Sequence, residues 1–252
     1  MSFVFLIGGG WQPESYPSTY GRFVKASTVD NQRKIVLVIA EEPGLEEEAT
    51  NMKYRQVFES LGVASHEIVT IYVSETQLLT EALLVHHQPT GIFICGGLTP
   101  FYHHILCSDT QWCEYVLSRG ISYGGFSAGA AIAADQAIVG GWKIHLNDQE
   151  VPILDADLAE ELEFLTVRPG LGLVSFAVDV HGSQWGTLSR LLHAVDQEMV
   201  PEGWVIDENT MLFIDNEQIQ VFGLGQAYYV HHHTPGKILV EIFRDGSFYL
   251  RE

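Results

Sequence analysis

Ser127 lies in Gly125-Phe126-Ser127-Ala128-Gly129, a G-x-S-x-G pattern between the short apolar segment "ISYGG" and the small-residue run "AGAAIAA". A strand-to-helix turn is the context in which such a serine becomes an exposed nucleophile. The two glycines fit that reading, because a Cβ two positions either side of the serine would collide in so sharp a turn. The small residues beyond it let the following helix lie close to a sheet, with its amino end offering N–H groups to a developing oxyanion. The same five residues also fit a glycine-rich packing joint that happens to contain serine. A working nucleophile needs a base, an orienting acid and an oxyanion donor from outside its own turn.

"CGGLTP" supplies the donor: Gly97, or Gly96, can aim an amide N–H into a cleft beside that of Ala128. Among 11 histidines, His181 ends a glycine-punctuated apolar strand in "GLGLVSFAVDVHGSQWG" and precedes a polar turn, the place from which a strand end delivers a side chain to a cleft. His103 and His104 follow the glycine turn, while His66, His86, His87 and His193 carry no partner cue. The triplet His231–His233 invites a metal reading, but alternate side chains on a strand face opposite ways and no Cys or carboxylate completes a ligand set. Neither metal nor cofactor is expected. For the acid, Asp148 and Glu150 in "LNDQEVPILD" lie between Ser127 and His181, with Asp135 and Asp179 behind them.

The elements that must position these residues alternate over the first 125 positions. Strands are expected at "FVFLIGG", "KIVLVIAE", "EIVTIYV", "GIFICGG" and "ISYGG". Helices are expected over Tyr20–Ser27, over Leu45–Leu61 with Gly62 as its stop, around Leu78, Leu79, Ala82 and Leu83, and over Phe101–Leu117. Continuous apolar strands separated by helices predict an α/β fold whose parallel sheet is covered on both faces. Ligand sites in such sheets form at the carboxyl ends of the strands. The clusters Gly8–Gly10, Gly96–Gly97 and Gly124–Gly125 fall there and converge on one cleft. After about Val200 short alternating strands predict an antiparallel, β-rich extension, with turns at Asp207–Asn209, Asp215–Asn216 and Asp245–Gly246.

Composition bounds the class. The 252 residues are 46% hydrophobic and 18% charged, enough to bury about 70–75% of the unfolded surface around one core. No repeat or linker divides the chain, so a single domain spans 1–252, with an α/β core over 1–199 and the β-rich annex over 200–252. Thirteen basic against 32 acidic residues give a formal charge of −19, which repels nucleic acid and anionic membranes. No apolar run reaches the roughly 18 residues of a membrane span. The opening "MSFVFLIGGGW" reads as a buried strand rather than a signal segment. The three cysteines, 95, 107 and 113, cannot all pair and fit a reducing cytoplasm.

Taken together, "LIGGGW", "GGLTP", "GGFSAGAA" and "GLGLV…VDVH" resemble the dipeptidase E / cyanophycinase family of serine peptidases along nearly the whole chain, and the late "IDENT" resembles the cyanophycinase branch. That resemblance implies a three-layer α/β/α sandwich like that of class I glutamine amidotransferases, and Ser–His–Asp/Glu catalysis of small peptide or isopeptide hydrolysis. It places the nucleophile at Ser127, the base at His181 and the oxyanion amides at Gly97 and Ala128. "EVPILD" resembles the dipeptidase E segment with an acid before Met-Pro, which assigns the acid to Glu150 ahead of Asp148. The arginine run that cyanophycinases carry after the histidine is reduced here to Arg190, with Trp185 and Thr187 at the other places. Thr99, Arg168, Trp185 and Arg190 are the expected substrate contacts. Two rivals stand: an α/β-hydrolase-type esterase using His231 with Asp207 or Asp215, and a catalytically inactive small-molecule-binding member of the fold. A homodimer is compatible with the apolar annex.

Overall fold

The computed structural model describes residues 3–44, 46–234 and 236–250. The chain begins with β1 (Val4–Ile7), α1 (Tyr20–Ala26) and a small hairpin of β2 (Thr28–Val29) and β3 (Gln32–Arg33). It continues through β4 (Ile35–Ala40), α2 (Glu47–Ser60), β5 (Ile68–Val73), α3 (Glu81–His87) and β6 (Gly91–Ile94). Next come α4 (Thr99–Leu106), α5 (Gln111–Ser118), β7 (Ser122–Phe126) and α6 (Ala128–Ala131). The middle of the chain forms β8 (Gln136–Gly140), β9 (Lys143–Leu146), β10 (Gln149–Pro152), β11 (Thr166–Pro169), β12 (Ala177–Val180), α7 (Gly182–Trp185) and α8 (Leu188–Asp196). Strands β13 (Glu202–Ile206), β14 (Thr210–Asp215), β15 (Gln218–Gly223), β16 (Gln226–Thr234), β17 (Lys237–Arg244) and β18 (Phe248–Leu250) complete it.

Eight strands form the central sheet in the order β18-β15-β14-β1-β7-β6-β4-β5, parallel from β1 to β5. Every residue of β1, β4, β6 and β7 is buried, as a sheet covered on both faces requires. Alternation sorts the two faces. Val36 and Val38 pack with Tyr102, Leu106 and Trp112 from α4 and α5. Ile35, Leu37 and Ile39 pack with Phe23, Tyr54 and Phe58 from α1 and α2. The result is the expected α/β/α sandwich with a mainly parallel sheet and a β-rich C-terminal region.

Three expectations change in detail. The helix expected over Phe101–Leu117 is two, because Asp109 Oδ1 accepts the Gln111 N–H at 3.0 Å and restarts the helix there. The break turns Trp112 inward, where its indole N–H reaches Leu106 O at 3.1 Å. The third helix begins only at Glu81, after Thr80 accepts the Leu83 N–H, so Leu78 and Leu79 precede it. The second helix covers Glu47–Ser60; its expected first residue, Leu45, lies outside the described residues.

The strands after residue 200 do not stand apart. β14 runs antiparallel to β1, with Val4 opposite Ile214, inside the central sheet. β13 pairs with β12 in parallel, Ala177 opposite Gly203, in a second sheet ordered β12-β13-β16-β17. The expected antiparallel pattern therefore fails at one pairing, and that pairing brings the carboxyl ends of β12 and β13 side by side. Among the described residues no helix is long and apolar enough to cross a membrane.

Candidate active site

Ser127 occupies a sharp turn at the carboxyl end of β7, with φ 51° and ψ −113°. A non-glycine residue adopts such a conformation only when its surroundings over-determine it, and here they do. The Ser127 N–H donates to Ile7 O at 2.9 Å, and its carbonyl accepts from the N–H groups of Ala130 and Ala131 to start α6. A Cβ on Gly125 would lie 2.4 Å from Gly129 O, and one on Gly129 would lie 2.3 Å from Ile94 O. Both glycines of the pattern are thus demanded by close backbone approach.

His181 ends β12 in a left-handed conformation (φ 58°, ψ 35°), with its N–H on Gly8 O at 3.0 Å. Its Nε2 lies 2.8 Å from Ser127 Oγ. Its Nδ1 lies 2.8 Å from an oxygen of Glu208. Trp185, one turn along α7, stacks on the imidazole with centroids 3.9 Å apart and planes 11° from parallel.

Glu208 sits in the turn between β13 and β14. Its neighbours fix that turn: Asp207 accepts from Ser183 N, Ser183 Oγ and Gln226 N, and Asn209 donates its N–H to Gly9 O at 2.7 Å. The Glu208 N–H itself donates to Gln184 Oε1 at 2.9 Å. The carboxylate beside His181 is therefore Glu208, not Glu150. Glu150 projects from the β9–β10 hairpin, 55% exposed, and pairs with Lys143 at 2.9 Å, which holds its carboxyl below the usual range. Asp148, the alternative, lies at the tip of that hairpin with φ 62°, as turn geometry requires of its residues.

The other expected positions divide. Ala128 follows Ser127 and Gly97 follows Gly96, whose Cβ site lies 2.9 Å from Ser127 Cβ, and among the described residues no hydrogen bond takes up the N–H of Gly97 or Ala128. Thr99 spends both its N–H and its hydroxyl on Glu160, at 2.8 and 3.0 Å. Arg190 is no free cation: it is buried in a two-pronged pair with Asp179, at 2.7 and 2.6 Å. Arg168 lies half-buried on β11, and among the described residues no contact ties it to Ser127 or His181. His103 bonds Pro169 O, and His104 faces Glu75. His231 stacks on Tyr229 and faces Glu241, so among the described residues the esterase alternative finds no histidine bonded to Ser127 other than His181.

No family model matches the sequence. Among solved structures, a peptidase from an acI-B1 Actinobacterium is similar over 100% of this chain and 97% of its own, at 17% identity and a TM-score of 0.66. A candidate peptidase E protein from Listeria monocytogenes EGD-e is similar over 89% of this chain and 100% of its own, at 20% identity and a TM-score of 0.56. The chain has a peptidase E-like fold. In this peptidase E-like fold the three side chains come from the ends of β7 and β12 and from the β13–β14 turn, so one rim of two adjoining sheets carries them all.

Electrostatics suits proton transfer. Burial pushes the His181 imidazole below its ordinary value, while the Glu208 hydrogen bond and charge pull it partly back. The ring is thereby neutral at neutral pH and able to accept a proton from Ser127 Oγ. Glu208 fixes the tautomer that leaves Nε2 as the acceptor.

Proposed function

We propose that the chain is a serine-type peptidase hydrolysing small peptides or isopeptides, with Ser127, His181 and Glu208 as its triad. The observation that carries this reading is the unbroken pair of 2.8 Å contacts from Ser127 Oγ through the imidazole to Glu208. The peptidases of like fold support hydrolysis of peptides.

His181 takes the Ser127 proton as Oγ attacks the scissile carbonyl carbon, and Glu208 stabilises the imidazolium. The carbonyl oxygen becomes an oxyanion, received by the N–H groups of Gly97 and Ala128. The tetrahedral centre collapses as the C–N bond breaks, and His181 gives its proton to the leaving amine. Water, deprotonated by the same imidazole, then attacks the acyl-enzyme and releases the carboxylic acid and Ser127. Because Asp179 already neutralises Arg190, an aspartyl side chain gains no anchor there. Arg168 remains the candidate cation for a substrate carboxylate.

The test is mass-spectrometric scanning of a panel of α-aspartyl, β-aspartyl-arginine and non-acidic dipeptides and short peptides, with wild type run beside Ser127→Ala. Loss of selected members with wild type alone is the expected result, and their identities name the specificity. Equal profiles for the two proteins, with esters also untouched, would return Ser127 to a packing joint in a binding protein.

A further inference from the structure

The glycine turn between β6 and α4 is pinned by hydrogen bonds on both sides of Gly97. The Gly96 N–H donates to Tyr54 Oη at 2.7 Å. The Gly96 carbonyl accepts from Tyr102 Oη at 3.2 Å, and that same oxygen receives the Ala40 N–H. The Leu98 N–H donates to Glu42 Oε2 at 2.6 Å. Between them, the Gly97 N–H has no hydrogen-bond partner among the described residues.

The clamp is rigid because its members come from different layers. Tyr54 belongs to α2 and Tyr102 to α4, on opposite faces of the sheet, and both are buried. Glu42 follows β4. The site of a Cβ on Gly97 is 2.7 Å from both Glu42 Oε2 and the Tyr102 ring, while that on Gly96 is 2.9 Å from Ser127 Cβ. Side chains at either glycine would collide, so Glu42, Tyr102 and Ser127 pack closely against the turn. Water at this half-exposed residue would satisfy the Leu98 N–H without fixing it. A carboxylate there is electrostatically unfavourable to a neighbouring oxyanion, so its presence calls for a geometric reason.

We propose that Tyr54 and Glu42 are positioning residues that set the Gly97 N–H for the oxyanion, an inference that rests on the serine-peptidase reading above. Tyr54 fixes the residue before the donor and Glu42 the residue after it, and together they hold the intervening peptide in one orientation. The hydrogen bond that Glu42 accepts is the working part, not its charge. A carboxylate that instead recognised a cationic substrate group would act through charge, and the two roles separate in one substitution.

The test is covalent labelling of Ser127 by a fluorophosphonate, whose phosphonyl oxygen takes the oxyanion's place, with the maximal labelling rate and the half-saturating reagent concentration measured separately. Tyr54→Phe and Glu42→Ala are expected to lower the maximal rate by about 10- to 100-fold, with half-saturation changed less than about twofold. Glu42→Gln keeps an acceptor for Leu98 N–H and is expected to recover most of the rate. Melting temperatures and circular dichroism establish that each variant is folded. Unchanged rates in Tyr54→Phe and Glu42→Ala, or a loss in Glu42→Gln as large as in Glu42→Ala, would overturn the proposal. Wild type labelled at Ser127 with indifferent variants removes the clamp alone; wild type left unlabelled removes the serine-peptidase reading and the clamp with it.

Discussion

Replacing Glu208 with alanine deletes the acceptor on His181 Nδ1 and the charge that faces the imidazolium when it forms. A hydrogen bond to a charged group is worth about 1.5–3 kcal/mol. With charge centres roughly 4 Å apart and an effective dielectric near 20, the Coulomb attraction is at most about 4 kcal/mol. Glu208 is 28% exposed against 8% for His181, so solvent screens part of this attraction. About 2–4 kcal/mol of transition-state stabilisation is at stake, which corresponds to a fall in kcat of about 30- to 1000-fold. Hydrolysis of whichever panel peptide wild type consumes gives kcat and KM, and KM should move little because Glu208 does not touch substrate. The pH profile supplies a second readout. Glu208 favours the protonated imidazole, so its loss lowers the His181 pKa and moves the acid limb to lower pH. Glu150→Ala serves as the control, since that half-exposed side chain pairs with Lys143 within the β9–β10 hairpin and its loss should leave kcat unchanged. A crippled Glu150→Ala beside an active Glu208→Ala would refute the assignment.

Two further outcomes follow from the same geometry. In wild type kcat/KM should be level near neutrality and fall as pH drops through a midpoint below about 6.5, because burial depresses His181 more than Glu208 restores it; a limb centred above pH 7 would contradict a neutral resting imidazole. Arg190→Ala should destabilise the fold by about 3–5 kcal/mol, read from urea unfolding, because it leaves the Asp179 carboxylate uncompensated inside the protein. A loss under about 1 kcal/mol, with activity altered toward acidic peptides alone, would restore Arg190 as a substrate anchor.

The fold is legible in the sequence wherever one pattern admits one environment. "IVLVIA" is apolar at every position, and a strand covered on both faces uses such a run. Small-residue spacing around Ser127 is legible for a related reason: Gly125 and Gly129 each meet backbone, so no larger residue fits. Competing local signals are harder. Apolar spacing continues from Phe101 to Leu117 as if in one helix, and Asp109 breaks it through one hydrogen bond that periodicity does not register. Arg190 misleads similarly, because a cation near a catalytic histidine looks like a substrate anchor until Asp179, eleven residues away, is seen to hold it.

The acid shows what kind of information a linear reading lacks. Ser127 and His181 are each announced locally, by a glycine-framed turn and by the end of an apolar strand. Glu208 has the same credentials: it follows the apolar "GWVI" of β13, inside an Asp-Glu-Asn turn. Strand ends deliver side chains to a common rim only when the strands run the same way. If β13 paired antiparallel with β12, its carboxyl end would point to the far side of the sheet and Glu208 would be remote from His181. The parallel register, Val180 opposite Ile206, instead places the residue one past β12 beside the residue two past β13. That direction belongs to the pairing of β13 with β12 and β16, which the turn residues themselves do not display in the sequence. Chain order and the likeness of "EVPILD" to a dipeptidase E segment favour Glu150, which lies between Ser127 and His181 but which the fold does not bring to the imidazole. Sheet topology decides for Glu208, whose carboxylate reaches Nδ1 from 27 positions along the chain.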